Sequence, residues 1–198
     1  DDFAHETAKL SLWLTEHQMN LAFKGVFGDA RPTLPLQDSG NITCGNATRL
    51  NWEVVCPKLG IKGNELEVYI LGNPPFQGSK KQNKIQKTDM SQVFYGIKNY
   101  KNLDYISCWL YLGSQYIENT NYKLAFVSTN SITQGDQVSL FWPHIIKKNQ
   151  EIFFAYTTFK WGNNAKRNAG VSCVIVGIKG VSSLAKKIYS ETQWRSVP

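Results

Sequence analysis

The sequence predicts an α/β fold with a mostly parallel sheet and an antiparallel hairpin near its C-terminal end. Continuous apolar runs at 66–72 (LEVYILG) and 122–130 (YKLAFVSTN) are typical of strands buried on both faces. A segment with the apolar spacing of a helix lies between them, as expected when helical crossovers join parallel strands. Two further apolar runs, at 151–161 and 171–180, are joined by a polar loop and predict the hairpin.

The N-terminal part of the chain predicts one helix and one short strand. Residues 2–20 have an approximate apolar face at helical spacing, and Asp2 is a suitable N-cap. The segment NITCGNA, residues 41–47, predicts a short strand that runs into a turn carrying Asn46. The residues before it are rich in Gly, Pro and Asp and predict a loop.

The middle of the chain predicts two more helices. Residues 103–117 have helical spacing, and residues 133–148 predict a helix that is bent or ended near Pro143. Residues 77–90 are polar and contain four lysines, and they show no apolar periodicity that would assign them a helix or strand. Asp104 is interpreted as a charge on a loop.

The composition indicates a globular protein. The chain has 198 residues, of which 42% are hydrophobic, so it can form a sizeable core and is not a disordered segment. Its net charge of +7 suits a polyanionic partner, although many ordinary proteins are equally basic. The four cysteines lack the spacing of a metal site, and we expect reduced thiols in a cytoplasmic protein. No apolar run reaches the roughly 18 residues of a membrane span.

Four predicted turns lie where a mostly parallel sheet binds ligands, which is beyond the carboxyl ends of its strands. They carry Asn46, the tetrapeptide Asn-Pro-Pro-Phe at 73–76, Ser-Thr-Asn at 128–130 and Phe-Lys-Trp at 159–161. Each turn is polar or aromatic where a plain connector needs neither property. We therefore expect a binding site at this edge.

The turn at 73–76, called the NPPF turn below, consists of Asn73, Pro74, Pro75 and Phe76. The Asn73 side-chain oxygen and the Pro74 carbonyl are both hydrogen-bond acceptors, and the two prolines hold them in a fixed relation. Two convergent acceptors suit a planar NH₂ group, whose lone pair becomes more available when both hydrogens are accepted. Phe76 offers a face on which a flat ring can stack. The turn therefore fits an amino nitrogen that acts as a nucleophile.

The NPPF turn resembles the (Asn/Asp/Ser)-Pro-Pro-(Tyr/Phe) motif of S-adenosylmethionine-dependent amino-methyltransferases. Together with ILGNPPFQGSKKQNKIQKTDM, AFVSTNSITQGDQVSLFWP and TFKWGNNAKRNAGVSCVIVG, it makes the chain resemble the adenine-N6 DNA methyltransferase domain of the MmeI-like restriction–modification enzymes. This resemblance implies a partial Rossmann-like class I methyltransferase sheet whose first two strands are missing. Residues 1–180 would be the C-terminal part of the catalytic domain, and residues 181–198 would be an extension leading toward an absent target-recognition domain.

The resemblance implies a role for each matching residue at the turn. Asn73 and the Pro74 carbonyl would accept from the N6 amine of adenine. Phe76 would stack on that base after it is flipped out of double-stranded DNA. A second aromatic side chain would cover the other face of the base, and Phe159 and Trp161 both remain candidates. Methyl transfer would be direct, with no covalent bond between enzyme and base.

The resemblance also implies contacts with S-adenosylmethionine and with DNA. Asn46 lies where the family contacts the adenine of the cofactor, and Asp2 lies beside the place of the acidic residue that binds its ribose. The glycine-rich cofactor turn of the family has no counterpart in the sequence. Basic residues around the expected catalytic edge are candidates for phosphate contacts, or form an ordinary solvated face: Lys80, Lys81, Lys84, Lys160, Lys166 and Arg167.

The resemblance thus implies a site-specific restriction–modification methyltransferase that needs an N-terminal half from outside this chain. The fragment alone is then expected to be inactive. Two alternatives stay open. One is a non-catalytic nucleic-acid-binding fragment in which the motif is only a turn, and the other is an amino-methyltransferase acting on RNA or on a protein glutamine. The lysines that follow the motif argue mildly against a glutamine substrate.

Overall fold

The computed structural model describes residues 2–28, 42–58, 67–161, 171–190 and 194–197, except for the side chains of 161 and 194–197. The chain forms two compact units, Asp1–Lys58 and Leu59–Pro198. Among the described residues, no helix is both long enough and apolar enough to cross a membrane.

The first unit contains a long helix, α1 (Asp2–Phe27), and a short helix, α2 (Trp52–Val55). The structure confirms the N-terminal helix but extends it, and Asp2 is its first helical residue rather than its N-cap. None of the side chains described for α1 is buried, and Phe3 is 81% exposed. The predicted apolar face therefore forms no core within this unit. The other described residues of the unit form the short helix α2 and irregular segments.

The predicted strand at 41–47 is wrong for the residues that the structure describes. Residues 42–46 are irregular and lead into a turn. The Asn46 Oδ1 atom accepts hydrogen bonds from the Thr48 amide at 3.0 Å and from the Thr48 hydroxyl at 2.9 Å. Such local bonding of an asparagine side chain stabilises a turn in preference to an extended strand.

The second unit contains a six-stranded sheet with the order β1-β2-β4-β3-β5-β6. Its strands are β1 (Tyr69–Gly72), β2 (Lys123–Thr129), β3 (Gln150–Trp161), β4 (Val171–Gly180), β5 (Lys186–Tyr189) and β6 (Trp194–Val197). The predicted strands at 122–130, 151–161 and 171–180 are confirmed. β5 and β6 were not predicted, and they bring part of the segment 181–198 into the sheet.

The sheet is mixed in its pairings but mostly uniform in its strand directions. β1 and β2 are parallel, and β3 and β5 are parallel, whereas β4 is antiparallel to both β2 and β3 and β6 is antiparallel to β5. The strands β1, β2, β3 and β5 therefore share one direction. The predicted hairpin exists, but β4 lies between β2 and β3 and does not close the sheet.

The prediction that the strand at 66–72 is buried on both faces is wrong within the described structure. β1 pairs with β2 alone and is therefore an edge strand. Tyr69 is 54% exposed and Leu71 is 73% exposed. A continuous apolar run predicts burial only when neighbours cover both faces, and the described residues do not supply them.

The described part of the second unit also contains three α-helices, α3 (Lys84–Val93), α4 (Ser107–Tyr116) and α5 (Asp136–Ile146), and α3 contacts α4. α4 contacts β2, and α5 contacts β3 and α4. The predicted helix at 133–148 is confirmed as α5, which contains Pro143 and ends three residues beyond it at Ile146. Large side chains in the core are Met90, Phe94, Leu103, Ile106, Leu110, Ile132, Phe141 and Ile178.

α3 was not predicted because its residues are polar, but the sequence contains a signal for its start. The Asn83 side chain accepts from the Gln86 amide at 2.9 Å, and the Gln86 side chain accepts from the Asn83 amide at 3.0 Å. This reciprocal pair is a capping box, which satisfies backbone donors at the first turn of a helix. A test for an Asn-x-x-Gln pattern would have located the helix start.

Candidate active site

The NPPF turn follows β1 directly and lies at the carboxyl edge of the sheet. Gly72, the last residue of β1, pairs with Phe126, three residues before the end of β2. β3 runs in the same direction as β1 and β2. Its Phe159 pairs with Cys173 of β4, and Cys173 also pairs with Thr129 at the end of β2. The carboxyl ends of β1, β2 and β3 therefore share one edge, as a parallel arrangement of these strands requires.

The NPPF turn combines a buried proline with an exposed amide. Pro74 is buried, whereas Asn73 and Pro75 are exposed and Phe76 is partly buried. A Cβ atom added at Gly72 would lie 3.4 Å from the Phe126 ring and 3.9 Å from Pro74 Cδ, so the turn starts in close contact with β2. Among the described residues, none donates to or accepts from the Asn73 side chain. The turn thus anchors its proline and leaves the Asn73 carboxamide accessible to a ligand.

The residue after the turn is fixed by three hydrogen bonds. The Gln77 amide donates to Asp104 Oδ1 at 2.9 Å. The Gln77 carbonyl accepts from the Tyr105 amide at 3.0 Å and from Gln82 Nε2 at 3.1 Å. The end of the NPPF turn is therefore tied to the segment that leads into α4.

Asp104 lies in the irregular segment before α4, as the interpretation of it as a loop charge requires, but it is buried, with 5% of its surface exposed. Besides the Gln77 amide, its Oδ1 accepts from the Ile106 amide at 3.2 Å. Its Oδ2 accepts from the Thr129 hydroxyl at 3.4 Å, which is a weak contact. The sequence offered little to reveal this role, because an aspartate before a helix is usually a cap or a solvated charge.

The two candidate aromatic residues lie near the carboxyl end of β3, which is at the same edge of the sheet as the NPPF turn. Phe159 is partly buried, and its ring meets that of Tyr156 nearly perpendicularly, with centroids 5.5 Å apart. The backbone of Trp161 pairs with Val171, and its side chain lies outside the described residues. The choice between Phe159 and Trp161 therefore stays open.

The lysine cluster, defined as Lys80, Lys81 and Lys84, follows the NPPF turn closely. Lys80 and Lys81 belong to a single 3₁₀ turn, Ser79–Lys81, and Lys84 is the first residue of α3. All three are exposed, as is Lys160 near the end of β3. The cluster thus places positive charge within eleven residues of Asn73 along the chain. The remaining basic candidates, Lys166 and Arg167, lie outside the described residues.

The two candidate cofactor residues belong to the first unit. The Cys44 thiol contacts Asp2 Oδ1 at 3.7 Å, and Cys44 precedes Asn46 by two residues, so the start of α1 lies beside the 44–46 segment. Asn46 Oδ1 accepts two bonds from Thr48 and is therefore engaged within its own turn. An amide donor and a carboxylate are groups that can bind a purine ring nitrogen and ribose hydroxyls.

The described residues contain no cluster of His, Cys, Asp and Glu that could hold a metal ion. All four cysteines are free thiols, and Cys108 and Cys173 are buried. Burial raises the pKa of both buried thiols, and for Cys108 the charge of Asp89 adds to the rise. Cys173, which lies in the sheet between Thr129 and Phe159, is therefore a protonated thiol and a poor nucleophile at neutral pH.

Three comparisons with known proteins bear on this site. Residues 1–190 match the family model described as "MmeI, DNA-methyltransferase domain". The chain is 54% identical over 188 residues to DNA methyltransferase A of Bacillus subtilis (strain 168), and the match covers 94% of the chain and 21% of that protein.

A solved structure has a similar fold over the whole chain. The type IIL restriction–modification enzyme MmeI, in complex with DNA, matches with a TM-score of 0.87 and 38% sequence identity. The match covers 100% of this chain and 26% of MmeI. The chain therefore spans about a fifth to a quarter of the length of these two proteins.

Proposed function

The chain belongs to the family of MmeI DNA-methyltransferase domains, and we propose that the protein containing it transfers a methyl group from S-adenosylmethionine to the N6 amine of adenine in double-stranded DNA. The observation that carries this proposal is the NPPF turn, which presents the exposed Asn73 carboxamide at the carboxyl edge of the sheet. We further propose that the modification is site-specific and serves a restriction–modification system in the cytoplasm.

Asn73 and Pro74 would act on the amine through hydrogen bonds. The Asn73 side-chain oxygen and the Pro74 carbonyl would each accept one hydrogen of the NH₂ group. With both hydrogens engaged, the nitrogen lone pair is less conjugated with the ring and is available for attack. Because Pro74 is buried and followed by a second proline, the backbone of the turn, including the Pro74 carbonyl, is held in place before the base arrives, which lowers the cost of reorganisation.

The aromatic candidates would hold the base itself. A base within a duplex cannot reach the turn, so adenine has to be flipped out of the helix, at a cost of about a few kcal/mol. Stacking on Phe76 and on either Phe159 or Trp161 would offset part of this cost. The exposed lysine cluster and Lys160, together with Lys166 and Arg167, would hold the phosphates on either side of the flipped nucleotide.

When bound, S-adenosylmethionine supplies a methyl group activated on a positively charged sulfur. From this chain, Asn46 would donate to the adenine of the cofactor and Asp2 would accept from its ribose. The described residues supply no glycine-rich turn beside these two groups, so the rest of the cofactor site would come from elsewhere in the protein. The amide and carboxylate fit the edges of an adenosine, and they are insufficient to hold it alone.

The remaining parts of the enzyme are proposed from the length of the relatives. The chain spans 21% of DNA methyltransferase A and 26% of MmeI. We propose that it is the C-terminal part of a Rossmann-like class I methyltransferase sheet whose first two strands lie in an N-terminal half, and that a target-recognition domain completes the enzyme. The exposed edge of β1 and the exposed apolar side chains of α1 suit contacts with such parts. Alone, the 198-residue chain should not methylate DNA.

The replacement Asn73→Ala tests the proposal in the full-length protein. Removing one preorganised acceptor typically lowers the rate about 10²–10³-fold. We expect methyl transfer to fall by this factor while DNA affinity, measured by fluorescence anisotropy, stays within about threefold of the parent, because Asn73 contacts the extruded base and not the phosphates. Gln115→Ala is the matched control, because Gln115 is an exposed carboxamide on α4, away from the turn.

Parental activity in Asn73→Ala would mean that the NPPF segment is only a turn and does not bind the reacting amine. DNA binding without any methyl transfer by the parent protein would favour the non-catalytic nucleic-acid-binding alternative. Methyl transfer to RNA or to a protein glutamine, with none to DNA, would retain the chemistry of the turn and overturn the proposed substrate.

A further inference from the structure

We propose that Asp104 is a positioning residue that holds the NPPF turn in its reactive arrangement. The inference rests on the proposed function, because it assigns Asp104 a part in the same methyl transfer. Asp104 is separated from the turn by 28 residues of sequence, yet its carboxylate bonds to the residue that immediately follows the turn. It does so while also contacting the end of the neighbouring strand β2.

The carboxylate brings three separate segments together. Its Oδ1 accepts from the Gln77 amide at 2.9 Å and from the Ile106 amide at 3.2 Å, and its Oδ2 accepts from the Thr129 hydroxyl at 3.4 Å. Thr129 in turn lies 2.6 Å from the Ser131 hydroxyl. Hydrogen bonds from backbone amides to an ionised carboxylate are about twice as strong as neutral ones, so the two Oδ1 bonds carry most of the restraint.

The backbone of Asp104 is itself held. The Asp104 amide donates to Gln137 Oε1 at 3.1 Å, and the Gln137 Nε2 donates to the Asn102 carbonyl at 2.7 Å. The Asp104 carbonyl accepts from the Ser107 hydroxyl at 2.6 Å. With 5% of its surface exposed, Asp104 therefore presents its carboxylate from a fixed position and not from a mobile loop.

The NPPF turn is thereby fixed at both ends. Before it, Gly72 is paired with Phe126 in the sheet. After it, Gln77 is held by Asp104, and the two prolines between these points restrict the backbone further. The backbone of Asn73 and the Pro74 carbonyl then have few ways to move relative to β2. Misplacing a reacting group by about 1 Å can lower a rate about 10²-fold.

Two bonds to Gln77 are independent of the Asp104 side chain. The Gln77 carbonyl accepts from the Tyr105 amide at 3.0 Å and from Gln82 Nε2 at 3.1 Å, and both bonds remain when the carboxylate is removed. Asp104→Ala should therefore loosen the turn without releasing it. Asp104→Asn keeps an oxygen for the Gln77 amide and places an NH₂ group beside the Thr129 hydroxyl, which can accept as well as donate. The asparagine variant should therefore retain most of the function.

The test compares these variants in the full-length protein with replacements at Glu151. Glu151 is also a buried carboxylate, with 8% of its surface exposed, and it accepts from the amide and hydroxyl of Ser182. It lies at the beginning of β3, at the opposite edge of the sheet from the NPPF turn. Asp104→Ala and Glu151→Ala thus both remove a hydrogen-bonded buried carboxylate, but only the first affects the turn.

We expect Asp104→Ala to lower kcat about 10- to 100-fold, with KM for DNA and for S-adenosylmethionine within about threefold of the parent. Asp104→Asn should stay within about fivefold of the parental kcat, and Glu151→Ala should keep the parental kcat even if its Tm falls. Hydrogen exchange of the peptide covering 73–78 is the second measurement. It should become faster in Asp104→Ala and remain unchanged in Glu151→Ala.

Unchanged kcat and unchanged exchange in Asp104→Ala would overturn the proposal, as would an equal fall of kcat in Glu151→Ala. If Asp104→Ala does not fold, the Asp104→Asn variant decides. A folded Asp104→Asn protein with faster exchange at 73–78 and a kcat more than about fivefold below the parent would contradict the proposal. If the parent protein transfers no methyl group to adenine, the proposed function fails. The exchange measurement would then still decide whether Asp104 holds the turn.

Discussion

Replacing Gly177 by alanine should weaken the centre of the sheet. Gly177 lies on β4 opposite Phe154, where a β-bulge in β3 inserts Phe153 as an extra residue. A Cβ atom at Gly177 would lie 2.2 Å from Phe154 Cε1 and 3.0 Å from Phe153 Cε1. Two adjacent aromatic residues thus cover a position where no side chain fits.

The geometry sets the size of the effect. Carbon atoms that are not bonded prefer a separation of about 3.5 Å or more, so the Phe154 ring would have to move by roughly 1.3 Å. Its movement is limited by Phe153 and Tyr189, whose ring centroids lie 4.9 Å and 6.2 Å from that of Phe154. Overpacking typically costs about 1–3 kcal/mol, and alanine recovers about 0.5–1 kcal/mol because glycine is unfavourable inside a strand. Because Phe153 and Tyr189 restrain the ring, the overpacking cost should lie in the upper part of its range, which leaves a net loss of about 1–2 kcal/mol.

Hydrogen exchange of peptides from β4 in the full-length protein measures this loss directly. A loss of one to two kcal/mol corresponds to an exchange rate about 5- to 30-fold faster for amides that exchange through opening of the sheet. Shortening the obstructing ring should relieve the clash, so Gly177→Ala combined with Phe154→Leu should be less destabilised than the sum of the two single variants. Exchange within twofold of the parent in Gly177→Ala would refute the packing argument.

Two other predictions concern charge. Burial raises the pKa of Glu151, but hydrogen bonds from Ser182 and the charge of Lys186 outweigh it and hold the pKa below its usual value of 4.5. The stability that this ionised carboxylate contributes is present above about pH 4.5 and is lost as the pH falls through the lower folded-state pKa. Acid titrations followed by circular dichroism should show this loss of stability in the parent protein and a weaker loss in Glu151→Gln. Replacing the three residues of the lysine cluster by alanine should weaken DNA binding for all sequences. The slope of the logarithm of the binding constant against the logarithm of the salt concentration should fall by up to about 2.7, at about 0.9 per phosphate contact. An unchanged slope in anisotropy titrations would show that the cluster does not contact phosphates.

The sequence predicted one shared edge for the carboxyl ends of β1, β2 and β3, because helical segments between apolar strands indicate parallel strands. The Asn46 turn, expected at the same edge, follows no strand in the described residues. Apolar runs located the strands 122–130, 151–161 and 171–180, and the Asn-Pro-Pro-Phe turn identified the edge to inspect. The order of strands was harder to predict, because a hairpin pattern shows that β3 and β4 pair but not that β4 also pairs with β2. That choice depends on long-range packing, which no local period encodes.

The errors have a common physical origin. The run at 66–72 predicted burial because its composition is apolar, yet in the described structure β1 has a neighbour on one side alone. A charged residue in a loop predicts exposure to solvent, yet the Asp104 carboxylate is buried and accepts from two backbone amides. In both cases the sequence describes the residue, whereas its environment is determined by segments distant in the chain.

The measurement that tests the central proposal most directly is the identity of the methylated product. Full-length protein would be incubated with double-stranded DNA and S-adenosylmethionine carrying an isotope-labelled methyl group, and the DNA would be digested to nucleosides and analysed by mass spectrometry. We expect label in N6-methyldeoxyadenosine, and loss of that label in Asn73→Ala. Label in N4-methyldeoxycytidine instead, or no label in the DNA treated with the parent protein, would contradict the proposal.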